Sequence, residues 1–375
     1  MTAVSQELVV CSLEGWDDVW RRNQLIVDRL LRRHAGLRVL FVEPPHDLVS
    51  GLRHRRLPPR HRLRPIGHEG RLWALTPVKP LPRAIGQAAD AALCRQVRRA
   101  ARRLGLVAPV LWVNDLTYAP LVGATGWPSL YDITDDWLLE PVGARELARR
   151  RRLDARLLAE VGEVVVCSPA LASSRGATRP VTLIPNGVDV AHFRAPRPRP
   201  PDLPPGPVAV YVGTLHDERI DVDLVVDLTA RLPDLAVVLV GPDALSPASR
   251  SHLDEAGVHR LGPRPYADVP AYLQHADLVI VPHRVTPFTE SLDPIKAYEC
   301  LAVGRPVVAT AVSGFRELPK PVTTVAADSF ADAVSACIQR CVPVSRSAPP
   351  RGIDWEDRVD AFETLMERVG RTRSH

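Results

Sequence analysis

Lysine is almost absent from this chain: of 48 basic residues only Lys79, Lys296 and Lys320 are lysines, so nearly every cation is an arginine. Aromatic residues make up 5% and do not interleave with the basic clusters, which speaks against a surface built to stack nucleic-acid bases. No apolar run approaches the roughly 20 residues of a membrane span. The opening MTAVSQELVV also lacks a basic region followed by an apolar stretch, so a cytoplasmic protein is expected. Six cysteines, Cys11, Cys94, Cys167, Cys300, Cys337 and Cys341, are scattered without a paired C-x-x-C unit. Neither a disulfide framework nor a metal site is expected of them.

What is present fits two globular domains. The 375 residues, 46% hydrophobic and 24% charged, exceed one ordinary domain and can bury real cores. The net charge of +5 is unevenly spread, with about nine more basic than acidic side chains in residues 1–190 and the remainder slightly acidic. Part of the excess is the run Arg53, Arg55, Arg56, Arg60, Arg62 and Arg64, with His54 and His61 between them. Such a run either docks on an anionic membrane surface or is a solvated loop.

Short β-rich runs alternate with helical ones. The expected strands of the first half are Leu8–Ser12, Arg38–Val42, Leu72–Thr76, Val110–Val113, Ser129–Ile133, Val164–Cys167 and Val181–Ile184. Between the first two, Asp17 or Asp18 is expected to cap a helix through about Arg33, with Trp20 on its apolar face. RAPRPRPPDLPPGP, residues 194–207, reads as a stiff linker. A second alternation follows, with strands at Val208–Val212, Ala236–Val240, Val258–Leu261, Leu278–Val281 and Val307–Thr310. Strand and helix in alternation imply parallel sheets covered on both faces, hence α/β, two Rossmann-like doubly wound domains. The expected limits are 1–193 and 208–345, with an amphipathic stretch in 346–375 that crosses back to the first domain.

Open parallel sheets bind ligands beyond the carboxyl ends of their strands. The polar residues there are Glu14, Trp16, Glu43, Asn114, Asp115, Asp132, Asp135 and Asp136 in the first domain. In the second they are Gly213 to His216, Gly241, Arg264, His283, Arg284 and Glu290 to Glu299. The first set is mostly acidic and the second holds the cations. The stretch ESLDPIKAYECLAVGRPVV, Glu290 to Val308, is central to the second set. Pro294 is expected to open a helix in which Lys296 lies in the first turn and Glu299 three residues on, both on one face. A helix N-terminus with a nearby cation suits a diphosphate, and a carboxylate one turn further suits a ribose diol. An ordinary helix surface with a solvated Lys/Glu pair has the same spacing.

The motifs IPNGVDVAHF (Ile184–Phe193), YVGTLHDERIDVDLVV (Tyr211–Val226), ADLVIVPH (Ala276–His283) and ESLDPIKAYECLAVGRPVVAT (Glu290–Thr310) resemble retaining GT-B glycosyltransferases of family 4. SLEGWDDVWRRNQ, LFVEPP and YDITDDW, starting at Ser12, Leu40 and Tyr131, are similar to the branch of teichuronic acid biosynthesis transferases. The resemblance implies a GT-B architecture whose domains face each other across a cleft. It also implies transfer of a hexose-type sugar from a nucleoside diphosphate sugar to a hydroxyl, with retention and without a metal or other cofactor. It places Glu299 on the donor ribose and Arg219 on the diphosphate. Thr214 stands where the family has a second cation, which Lys296 replaces. The family's first glutamate falls on Ser291, with Glu290 or Asp293 as its substitute. Gly213, Ile295 and Arg264 complete the donor side; Glu14, Trp16, Asn114, Asp115, Asp132, Asp135 and Asp136 form the acceptor side. Arg219 and Lys296 are the residues expected to stabilise the leaving group. A sugar-nucleotide 2-epimerase or a catalytically degenerate partner subunit would carry similar motifs.

Overall fold

The computed structural model describes residues 6–48, 62–79, 87–316, 318–340 and 348–371. Arg53, Arg55, Arg56, Arg60 and Cys341 lie outside the described residues. The chain forms two compact units, Met1–Asp17 with Arg21–Pro185 and Arg358–His375, and Asp18–Trp20 with Asn186–Asp357.

The first unit holds an eight-stranded sheet. Its strands are β1 (Glu7–Cys11), β2 (Arg38–Val42), β3 (Leu63–Gly67), β4 (Leu72–Leu75), β5 (Val110–Val113), β6 (Ser129–Ile133), β7 (Glu163–Val166) and β8 (Thr182–Leu183). Their spatial order is β8-β7-β6-β5-β1-β2-β4-β3. Val9 of β1 lies between Leu40 and Leu111 in parallel register, and all three are fully buried, as strands covered on both faces require. Only β3 runs antiparallel, against β4. It arises inside the Arg- and Pro-rich stretch read as a loop. An edge position explains this, since Pro65 has no N–H to give to a ladder.

The helix after β1 spans Arg22–Arg33 and not from Asp17 or Asp18. The Gln24 side chain accepts the Arg21 N–H at 2.9 Å, closing the helix start three or four residues later than the aspartates suggest. Trp20 therefore precedes the helix; Asp18–Trp20 belong to the second unit, where Trp20 stacks on Tyr266 with ring centroids 6.0 Å apart. The final helix, Trp355–Arg371, enters the first unit from Arg358 on. There Phe362 meets Trp112 at 4.7 Å between centroids, and both are fully buried.

The second unit holds six parallel strands, β9 (Val208–Val212), β10 (Ala236–Val240), β11 (His259–Gly262), β12 (Leu278–Val281), β13 (Val307–Thr310) and β14 (Val322–Val325). Their order is β11-β10-β9-β12-β13-β14, so the winding reverses between β9 and β12. That reversal makes the topological switch point at which such sheets take ligands.

Residues 194–207 are not a free linker. They lie within the second unit, which begins at Asn186. Leu203 is buried, the Arg197 N–H donates to Gln274, and Asp202 pairs with Arg264. Prolines restrict this segment without detaching it, because its side chains supply the docking.

The short helices Ala119–Thr125, Val190–Arg194, Pro247–Glu255 and Pro287–Glu290 escape a periodicity reading. They are recognisable only by their starts: proline in the first turn, or the side-chain caps of Asp189, Ser246 and Thr286.

Candidate functional site

The site in the second unit is built at the carboxyl ends of β9 and β12. After β9 the chain turns at Gly213, whose N–H donates to the Val240 carbonyl at 2.8 Å. Its φ is +154°, and a methyl group on it would run into Cε and Nζ of Lys296. Glycine is thus required for the lysine to enter. Lys296 is the second residue of the helix Ile295–Val303, and its Nζ lies 5.7 Å from the centroid of the Tyr211 ring. Pro294 sits one position before the helix, as its N-cap, instead of opening it.

Tyr211, in β9, and His283, two residues after β12, meet beneath the lysine. Tyr211 Oη and His283 Nε2 are 3.1 Å apart, and Thr310 Oγ1 donates to the His283 carbonyl at 2.7 Å. Burial, then the charges of Lys296 and Arg219, push the histidine down to about 3, so the ring is neutral near pH 7. Burial also raises the Tyr211 phenol, with Arg219 opposing.

Arg219 is held by the backbone. Its own N–H and that of Ile220 donate to the His216 carbonyl at 3.0 and 2.8 Å, and its carbonyl accepts from Arg284 at 2.8 Å. Its guanidinium lies 5.5 Å from the Phe288 ring centroid.

One turn beyond Lys296, Glu299 is 9% exposed. Burial pushes its carboxyl up to about 7, with Lys296 pulling the other way. The pair is therefore not a solvated helix-surface pair. Lys296, Glu299, Tyr211 and Cys300 line one small cleft. Two cations, a neutral imidazole and a carboxyl group that titrates near neutrality together suit an anion joined to a vicinal diol. Among the described residues no group of three or more His, Cys, Asp or Glu is placed to hold a metal ion.

The remaining donor-side candidates divide. Ile295 opens the helix and Thr214 follows Gly213, both half-buried. Ser291 is buried, its hydroxyl donating to the Phe288 carbonyl at 2.7 Å. Asp293 has both oxygens engaged, one accepting the Asn186 N–H and the other the Tyr298 hydroxyl at 2.8 Å. Glu290 accepts the Ser313 N–H at 3.2 Å and pairs with Arg316. Arg264 differs from the reading made of it. Its guanidinium is occupied by Asp202, the Tyr272 hydroxyl and the Leu261 carbonyl at 2.5, 2.7 and 2.7 Å, which is the work of an anchor for the Pro-rich segment.

In the first unit, the acidic residues expected as an acceptor wall are largely neutralised from within. Asp132 is fully buried and paired with Arg22 at 3.1 Å; Asp136 pairs with Arg175 at 2.8 Å; Glu43 pairs with Arg64 at 2.8 Å. Arg64, the last arginine of the basic run, is thus paired within its own unit. Asn114 is also buried, donating to the Asp132 carbonyl and accepting from Asn23. Asp115 caps a turn through the Thr117 N–H. Trp16 packs edge-on against Phe41 and Glu14 pairs with Arg21 at 3.8 Å. Glu14, Trp16, Asp115 and Asp135 remain half-exposed.

From the sequence, His283 is one of many polar strand-end residues with no specific role, and Tyr211 is given none. The available signal was position, since each lies at or next to the carboxyl end of a switch-point strand.

Residues 206–340 match the family described as "Glycosyl transferases group 1". Over 246 residues the chain is 24% identical to TuaH of Bacillus subtilis (strain 168), provisionally named a teichuronic acid biosynthesis glycosyltransferase. The match takes in 60% of this chain and 62% of that protein's length, short of two thirds of the relative. Among solved structures, a trehalose-6-phosphate protein from E. coli bound with UDP-2-fluoro glucose superimposes with a TM-score of 0.63 at 12% identity, covering 97% of this chain and 95% of that one. The catalytic domain of Starch Synthase IV from Arabidopsis thaliana, bound to ADP and acarbose, gives 0.63 at 12% identity over 97% and 99%. These likenesses extend over both units and identify the fold as GT-B.

Proposed function

We propose that this chain, whose residues 206–340 form a glycosyltransferase group 1 domain, transfers a hexose-type sugar from a nucleoside diphosphate sugar to a hydroxyl acceptor with retained configuration. The observation that carries this reading is the placement of Lys296 over the Tyr211 ring, which is hydrogen-bonded to His283, and of Arg219 over Phe288, with the buried carboxyl of Glu299 one turn beyond the lysine. Departure of a nucleoside diphosphate leaves negative charge on the phosphate, and fixed cations in a partly dehydrated site stabilise it without reorganising. Lys296 and Arg219 supply those cations, so the transfer needs no divalent ion. Glu299, once ionised, accepts the two ribose hydroxyls. The likeness to structures that hold UDP-2-fluoro glucose or ADP supports a nucleotide here and leaves the base open.

The acceptor belongs, on this reading, to a cell-surface glycan, in keeping with the name of the Bacillus relative. No helix among the described residues is long and apolar enough to cross a membrane. Peripheral contact would rest on the basic run Arg53 to Arg64, and salt-sensitive binding to anionic vesicles tests it. A second reading, an inactive partner subunit, is favoured by one observation: the position of the family's first glutamate is the buried Ser291.

The deciding experiment is a binding and turnover screen of UDP-, GDP-, ADP- and dTDP-sugars in the presence of a chelator. Binding with turnover supports the transferase; binding without donor consumption supports the inactive partner. A donor consumed only when a divalent ion is added would overturn the metal-independent mechanism.

A further inference from the structure

The helix Gln87–Arg103 of the first unit buries one face and gives the other to solvent. Ala89, Leu93, Cys94, Val97, Ala100 and Ala101 are buried, whereas Arg95, Arg98, Arg99, Arg102 and Arg103 are all exposed. At 3.6 residues per turn these five positions fall in one stripe about 12 Å long.

The stripe stands out because arginines elsewhere in this chain are paired. Arg22, Arg64, Arg149, Arg175 and Arg260 each meet a carboxylate. Among the described residues, none of the five side chains on this helix forms an ion pair or a hydrogen bond. Asp90, the one acid of the helix, is bridged to Arg149 at 2.9 Å. Past the helix end, Glu7 is occupied by the N–H groups of Val107 and Ala108 at 2.8 and 3.2 Å. Residues 80–86, which lead into the helix, contain no acid. Arg102 and Arg103 complement the dipole at the helix end, but Arg95, Arg98 and Arg99 lie too far back to do so. Arginines three and four apart repel each other instead, and an anionic partner removes that repulsion.

Two features select the partner. No aromatic residue occurs from Gln87 to Pro109, so the stripe offers nothing on which nucleic-acid bases could stack. Four residues past the helix, Val107 is 83% exposed, the most exposed large hydrophobic side chain among the described residues. A straight row of cations with an apolar tip suits the headgroup boundary of a bilayer.

We infer that the solvent face of the helix Gln87–Arg103 is a docking surface for an anionic lipid bilayer, with Val107 entering the headgroup layer. This surface is separate from the basic run of residues 53–64 and does not depend on the transferase reading. Val107 is fixed to Glu7, the first residue of β1, so it lies at the opposite end of that strand from the carboxyl ends where polar candidates collect.

The test is sedimentation of the full chain with vesicles of phosphatidylglycerol and phosphatidylcholine, or of phosphatidylcholine alone. An arginine held at an anionic surface contributes about fivefold to binding, so Arg98→Gln with Arg99→Gln and Arg102→Gln should weaken binding to the anionic vesicles about a hundredfold. The melting temperature of that variant should be unchanged or raised, since the repulsion is relieved. Val107→Ser should weaken binding about threefold. Arg53→Gln with Arg55→Gln and Arg56→Gln is the comparison variant. A triple helix variant that binds as the unaltered chain does overturns the assignment, whether or not the comparison variant loses binding. Equal binding to both vesicles overturns it too, because charge would then play no part. Binding to neither vesicle overturns it as well, and binding to heparin in that case would make the partner a polyanionic chain.

Discussion

The ammonium group of Lys296 occupies the space that a side chain on Gly213 would need. This relationship ties the turn after β9 to the helix of Ile295–Val303. Gly213→Ala is expected to displace the lysine and to impose backbone strain of order 1–3 kcal/mol. Calorimetry should show nucleoside diphosphate affinity falling by at least about tenfold, with the melting temperature lowered by only a few degrees. Undiminished affinity would mean that Lys296 does not meet the ligand.

Lys296 and Arg219 both hold His283 in its neutral form. Removing either positive charge relieves part of that pressure, while burial remains. Lys296→Ala should therefore raise the histidine from about 3 without bringing it to its ordinary 6.5, as an NMR titration of its ring protons can follow. The same substitution combined with Arg219→Ala should lower turnover by more than about tenfold. A smaller loss would remove both residues from leaving-group stabilisation.

Glu299 makes the site sensitive to pH. Its carboxyl is held at about 7 against an ordinary 4.5, by burial. A raised value means that the folded chain binds this proton more tightly than the unfolded chain. The group therefore imposes no penalty below about pH 4.5, and stability declines as pH rises from there to about 7. The gap between the two values corresponds to about 3 kcal/mol. Glu299→Gln should flatten the pH dependence of unfolding across that window in denaturant titrations. Nucleotide affinity in the unaltered chain should increase as pH passes through 7, because only the carboxylate accepts from both hydroxyls of a diol. A pH-independent affinity would separate Glu299 from the ribose.

Much of the fold can be read in the sequence because parallel strands buried on both faces are written as near-continuous runs of apolar residues. Arg38–Val42, Val110–Val113, Ser129–Ile133, Val208–Val212, Ala236–Val240, Leu278–Val281 and Val307–Thr310 coincide with the observed strands. Elements without such a signature do not show. The edge strand β3 contains a proline, and the short helices are marked only by a first-turn proline or a single capping residue. The Lys296–Glu299 pair was legible from its spacing, and Arg219 from the motif around it. The burial that raises Glu299 was not, because it depends on residues distant in sequence, Tyr211, Val212 and Val279 to Val281, that line the same cleft. The acidic strand ends of the first unit misled for a related reason. Spacing shows a carboxylate but not the arginine opposite it, and Arg22 is 110 residues from Asp132 in the chain.

The Arg22–Asp132 pair separates structure from chemistry in the first unit. Both side chains are almost completely buried, at 4% and 0% exposure, and the guanidinium also donates to the carbonyls of Ile184 and Pro185 at 2.8 and 3.1 Å. A buried ion pair is seldom a large net source of stability, but removing one partner strands the other charge, typically at about 3–5 kcal/mol. Asp132→Asn should therefore lower the melting temperature strongly. Turnover measured well below that temperature should stay within about threefold of the unaltered chain. Replacing both residues with apolar ones, Arg22→Met with Asp132→Leu, should recover part of the lost stability, because no charge is then left unpaired. The opposite pattern, an unchanged melting temperature with turnover abolished, would return Asp132 to the acceptor side of the reaction.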